Sequence, residues 1–117
     1  MKKPSEILLE ARELLAKGWC QGMASAGPNG SETDIAKGES FCVIGAVRRT
    51  LPECVWNEEA DRALQVFERA VGRGCVNWND HPDRTQLEVV EMVERAALRA
   101  MEAGERKRLH IRASGQT

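Results

Sequence analysis

Apolar residues recur at helical spacing in three separate stretches of this chain, and that periodicity constrains the fold more than any other feature. Ile7, Leu8, Ala11, Leu14 and Leu15 fall on one helical face. Ala60, Ala63, Leu64, Phe67 and Val71 fall on a second, with Glu58, Glu59, Arg62, Glu68 and Arg69 opposite. Val89, Val90, Val93, Ala96, Ala97 and Ala100 fall on a third. Each stretch carries its own punctuation. Pro4 and Ser5 open the first and Gly18 is placed to end it in a left-handed conformation. Asn57 caps the second and Gly72 stops it. Thr85-Gln86-Leu87-Glu88 is a capping box for the third, with Gly104 as its expected end.

Aromatic residues are too few to build a different kind of core. There are three Trp, two Phe and no Tyr in 117 residues. Ala, Val, Leu and Ile must fill the interior, which suits helices that pack closely. A chain of this length forms a single domain that needs neither metal nor disulfide to fold. Residues 1–104 are expected to be that domain, and 105–117 a basic, disordered tail.

Two regions lack a helical period. Residues 19–39 hold the turn Gly27-Pro28-Asn29-Gly30 and a weak alternation at Trp19-Cys20-Gln21-Gly22-Met23, so a small hairpin and an irregular loop both fit. Residues 73–84 read as a compact polar loop. Between these regions, Phe41-Cys42-Val43-Ile44-Gly45-Ala46-Val47 is apolar almost all round. Ser40 before it, Arg48 and Arg49 at its end and Pro52 beyond favour a buried central helix, with Gly45 letting a neighbour come close. The expected fold is therefore mostly α: four helices in one domain, with an irregular loop or small β-hairpin between the first and second.

Three elements in order, Gly18-Trp19-x-Gln21-Gly22, Phe41-Cys42-x-x-Gly45-Ala46 and Trp78-Asn79-Asp80-x-Pro82-x-Arg84-Thr85-x-x-Glu88-Val89, resemble a small helical family of uncharacterised actinobacterial and bacteriophage proteins. The resemblance spans roughly residues 5–100. It implies domain boundaries and a bacterial or phage setting, and it supplies no activity. A small residue such as Ala stands in place of His81 in that family, so the resemblance gives His81 no family-wide catalytic role.

The formal net charge of -1 argues against a surface built as a whole to hold nucleic acid or anionic lipid. Glu6 and Glu10 interrupt the apolar residues after the basic N-terminus, and no run approaches the ~20 apolar residues a membrane helix needs. No signal peptide, no membrane and a cytoplasmic setting are expected. Cys20, Cys42, Cys54 and Cys75 form no C-x-x-C pair. They read as reduced thiols acting as small hydrophobes, with no metal or other cofactor implied.

Candidate site residues cluster in the loop before the last helix. Trp78, Asn79, Asp80 and Arg84, joined by Gln21, could line a polar binding pocket. They could equally staple the entry of the helix through bonds to backbone, and the stapling reading accounts for more of them. Cys42 in the first turn of a helix would have a lowered pKa, and His81 as base with Asn79 or Asp80 as orienter completes a conceivable nucleophile triad. A buried hydrophobe is the simpler account of Cys42. Asp80, His81 and Asp83 match no known metal-ligand spacing. Arg106, Lys107, Arg108, His110 and Arg112 offer phosphate contacts without aromatic residues for stacking. The leading expectation is a non-enzymatic interaction or accessory factor with a protein partner. An enzyme or small-ligand binder around Cys42 and residues 78–85 is the alternative, and a nucleic-acid accessory protein using the tail is the second alternative.

Overall fold

The computed structural model describes residues 2–115 along the backbone and 2–104 in their side chains. Among the described residues, five α-helices and a two-stranded hairpin follow one another: α1 (Pro4–Lys17), β1 (Ser25–Ala26), β2 (Ser40–Phe41), α2 (Val43–Arg49), α3 (Glu58–Val71), α4 (Cys75–Asn79) and α5 (Gln86–Gly115), with short 3-10 turns at Ile35–Lys37 and Pro52–Cys54. The fold is mostly α, with the hairpin between the first two helices. The three periodic stretches form α1, α3 and α5.

α1 takes the central place that the sequence assigns to α2. Its Ile7, Leu8, Ala11 and Leu15 are fully buried, and it packs along α5 and against α2 and α3. α2 is buried through Val43, Gly45, Ala46 and Val47 and touches α1, α3 and α4. Phe67 of α3, Val89, Val93, Ala96 and Ala97 of α5, and Trp78 of α4 complete one continuous core. The Trp78 ring meets Phe67 edge-on, with centroids 5.3 Å apart.

Capping follows the sequence at α3 and α5. Asn57 Oδ1 accepts from Ala60 N at 3.0 Å, and Gly72 adopts the left-handed conformation at φ 76. Glu88 N donates to the Thr85 hydroxyl, and Thr85 N donates to Glu88 Oε1. The α1 end differs from expectation. Gly18 is extended rather than left-handed, and its hydrogen matters for space, because a Cβ there would run into the Glu39 carbonyl and Ser40. Side-chain help comes instead from Gln86, whose Nε2 donates to the free carbonyls of Leu15 and Ala16 at 2.8 and 3.2 Å.

Three boundaries move for non-local reasons. Ser40 does not cap α2, because Ser40 and Phe41 pair antiparallel with Ala26 and Ser25, which leaves Cys42 as the cap. The loop over 73–84 contains α4, whose start is held by Glu68 of α3: its Oε2 accepts from Cys75 N at 2.7 Å. α5 continues through Gly104 to Gly115. The side chains of the basic segment 105–117, and the tail reading attached to it, lie outside the described residues. Between α2 and α3, Glu53 and Cys54 both have positive φ, 58 and 57. Arg48 Nε holds this turn by donating to the Cys54 carbonyl at 3.0 Å. Among the described residues no helix is long and apolar enough to cross a membrane.

Candidate functional site

The segment after α1 runs beside the strand that leads into α2. Phe41 N donates to Gly18 O and Cys20 N donates to Phe41 O, which makes a parallel bridge between Trp19 and Phe41. A regular parallel ladder would next join Val43 N to Cys20 O. The carboxamide of Asn79 stands in that position. Its Oδ1 accepts from Val43 N at 3.2 Å, and its Nδ2 donates to Cys20 O at 3.2 Å. Oδ1 also takes the indole N–H of Trp19 at 3.0 Å, and Nδ2 also donates to Asp80 Oδ1 at 2.9 Å. Asn79 is 1% exposed, and its four bonds use the full capacity of the amide.

The neighbours of Asn79 are bound in the same way. Gln21 Nε2 donates to the carbonyls of Asn79 and His81 at 3.0 and 2.8 Å. Gly22 N donates to Asp80 Oδ1 at 3.0 Å. Arg84 is engaged by Trp78 and Glu88 instead. Its guanidinium sits 4.0 Å above the Trp78 ring, its Nε donates to Trp78 O at 2.9 Å, and it pairs with Glu88 at 3.1 Å. His81 is exposed, and its Nδ1 accepts from Asp83 N at 3.1 Å. No hydrogen bond joins it to Cys42 among the described residues. The structure therefore brings Gln21, Asn79, Asp80 and Cys42 to one corner, and directs Trp78 and Arg84 toward α3 and α5.

That corner encloses a cleft of about 220 Å³ lined by Gly22, Met23, Ala24, Cys42, Ile44, Cys75, Val76, Asn79 and Asp80. Its wall is chiefly apolar. Val76 stands at its edge and is 55% exposed. Sequence reasoning missed Cys75 and Val76, because a five-residue helix shows no period that would aim either one.

The thiols here are not activated. Burial pushes Cys42 above the ordinary thiol range. The backbone N–H groups of Gly45 and Ile44 pull it down, and the Asp80 charge adds to the rise. The lowering expected from a helix start is outweighed by lost hydration. Burial also raises Cys20, to about 11, with the nearby Cys42 and Asp80 contributing. Cys75 is raised further by burial, then by Cys42, Glu68 and Asp80. Among the described residues no group of three His, Cys, Asp or Glu side chains is arranged to hold a metal ion.

No curated protein and no solved structure matches the chain. Residues 1–99 match a family described as a family of unknown function, DUF6197, and the chain belongs to that family.

Proposed function

We propose that this chain is a small non-enzymatic binding protein whose cleft receives a large apolar side chain of a protein partner, with a basic residue of that partner beside Asp80. The observation that carries this reading is the cleft between residues 22–24, α2 and α4. Its volume falls below the ~300–1,000 Å³ typical of small-molecule pockets and suits a single side chain. The Asn79 amide is fully engaged within the chain, so the cleft offers a chiefly apolar surface. Asp80 Oδ1 accepts two hydrogen bonds, and its carboxylate lies at the wall, where a Lys or Arg would be favoured. A cytoplasmic accessory factor in an actinobacterium or a phage is the setting this reading implies, and the motif resemblance supports it.

Selection from a displayed random-peptide library tests the proposal. Enriched peptides should share a large apolar residue next to Lys or Arg. They should shift the backbone amide signals of Met23, Ala24, Ile44 and Val76, and lose at least tenfold in affinity against Val76→Asp. Peptides that shift amides elsewhere, or that bind Val76→Asp unchanged, overturn it.

The convergence of Gln21, Cys42, Asn79 and Asp80 favours one second reading, a small-ligand site in the same cleft. A compound of fewer than about ten heavy atoms that shifts these amides, with no peptide doing so, would select that reading.

A further inference from the structure

The cleft has two thiols in its wall, supplied by different elements. Cys42 is the cap of α2 and Cys75 the first residue of α4. The backbone N–H of Ile44 favours the charged form of both thiols, and Cys42 Sγ accepts from Gly45 N at 3.3 Å. Both residues line the same cleft, and α2 packs against α4; a bond between them brings their Cα atoms to about 4.4–6.8 Å. The other cysteines are placed differently. Cys54 lies in the strained turn before α3. Cys20 Sγ donates to Met23 O at 3.6 Å and does not line the cleft, and the Asn79 amide separates its strand from the start of α2.

We propose that Cys42 and Cys75 are a dithiol modification site that a low-molecular-weight disulfide oxidises to an intramolecular disulfide, closing the cleft. Cys42 is the more open of the two and reacts first. It loses its proton and attacks one sulfur of the small disulfide. The reagent's S–S bond breaks, one half leaves and takes up a proton as free thiol, and the other half stays on Cys42. Cys75 then loses its proton and attacks the Cys42 sulfur, and the second half leaves as thiol. Two cysteine thiols are oxidised by two electrons, and one small disulfide is reduced to two thiols. The burial that raises both groups makes the exchange slow at neutral pH, with a rate rising about tenfold per pH unit below the thiol pKa.

The control of binding rests on the proposed function, but the bond itself does not. The full chain is incubated with hydroxyethyl disulfide at pH 8.5, alkylated, and mapped by mass spectrometry. The expected product is a Cys42–Cys75 cross-link with Cys54 free. Cys75→Ser should stop at the mixed disulfide on Cys42, and Cys42→Ser should leave Cys75 unmodified, since Cys75 is 2% exposed. The decisive mapping uses the unsubstituted chain, so a variant that fails to fold does not decide the question. A Cys20–Cys42 cross-link, a mixed disulfide that persists on the unsubstituted chain, or four thiols that react only on unfolding overturns the site. Peptides selected on the reduced chain should lose at least tenfold in affinity after oxidation and regain it on reduction. A mapped bond with unchanged affinity overturns the closing of the cleft. A reduced chain that selects no peptide sinks the proposed function and leaves the mapped bond standing.

Discussion

The indole N–H of Trp19 ends on Oδ1 of Asn79 at 3.0 Å, and the same oxygen takes the backbone N–H of Val43. Removing the amide leaves both donors and the Cys20 carbonyl without partners in a buried corner. Asn79→Ala is expected to cost about 3 kcal/mol, since each buried polar group left unmet costs about 1–3 kcal/mol. Asn79→Asp keeps the acceptor but turns a carboxylate oxygen toward the Cys20 carbonyl and Asp80, so it should destabilise at least as much at pH 7. Urea denaturation of both variants checks the size and the order.

Gly45 lets the hairpin strand reach α2. A Cβ at this position would overlap the Ala24 carbonyl, a backbone atom that cannot swing away. Gly45→Ala is expected to destabilise by about 2 kcal/mol or more, the scale of overpacking in a dense core. Gly74→Ala is the matched control. Its Cβ would meet only Glu68 Oε2, at 3.8 Å, and its melting temperature should stay within a few degrees of the unsubstituted chain. Equal losses in the two variants would show that the Ala24 contact is not the cause.

Glu53 occupies the left-handed region with an exposed side chain. A conformation of this kind costs a non-glycine residue about 1–3 kcal/mol, and Asn tolerates it better than Glu. Glu53→Asn should therefore raise stability by about 0.5–1 kcal/mol, read as a higher denaturation midpoint with unchanged slope. A lower midpoint would mean that the Glu53 side chain contributes more than its backbone strain removes.

Acid should loosen the start of α5. Burial tends to raise the Glu88 carboxyl, but the Thr85 N–H, the Arg84 guanidinium and the Thr85 hydroxyl outweigh it and hold the group below the ordinary range. A depressed folded pKa stabilises above the unfolded value of about 4.3, and the contribution is lost as pH falls through the folded value. Carbon-detected NMR should give Glu88 a midpoint below the ordinary glutamate value of about 4.3, and Glu88→Gln should remove the acid-dependent fraying of residues 85–89.

Alkali should act in the opposite sense through the thiols. Cys20 is raised from 9.0 to about 11, and Cys42 and Cys75 are raised as well. A raised folded pKa contributes stability that is complete below the unfolded pKa and is lost as pH climbs toward the folded one. Stability should fall between about pH 8.5 and 11, and Cys75→Ala should flatten part of that fall. Thiol reagents at pH 7 should modify the folded chain slowly, with Cys75 the most protected.

The parts of the fold legible in the sequence are those decided within one turn of helix. The faces of α1, α3 and α5, the Asn57 cap, the Gly72 stop and the Thr85–Glu88 box all depend on residues three or four apart. What escaped depends on distant partners. α4 begins where Glu68 supplies an acceptor, α2 begins where the hairpin releases the chain, and α1 ends under the amide of Gln86. The candidate site divides along the same line. Gln21, Asn79 and Asp80 stand out in the sequence and do converge with Cys42. Their bonds run mostly to backbone, which favours the stapling account of this loop. Trp78 and Arg84 stack on each other away from the cleft. Cys75 carried no local sign separating a cleft wall from a core filler.

One carboxamide stands where the backbone ladder breaks off, and this has a consequence for how the molecule comes apart. The loop after α1, the first amide of α2 and the end of α4 all terminate on Asn79, so none of the three can peel away while the other two keep their places. Opening at this corner should be a single event. The amide protons of Cys20, Val43 and Asp80, one from each stretch, should exchange with solvent at one common rate, as though three remote stretches of chain were a single piece of secondary structure.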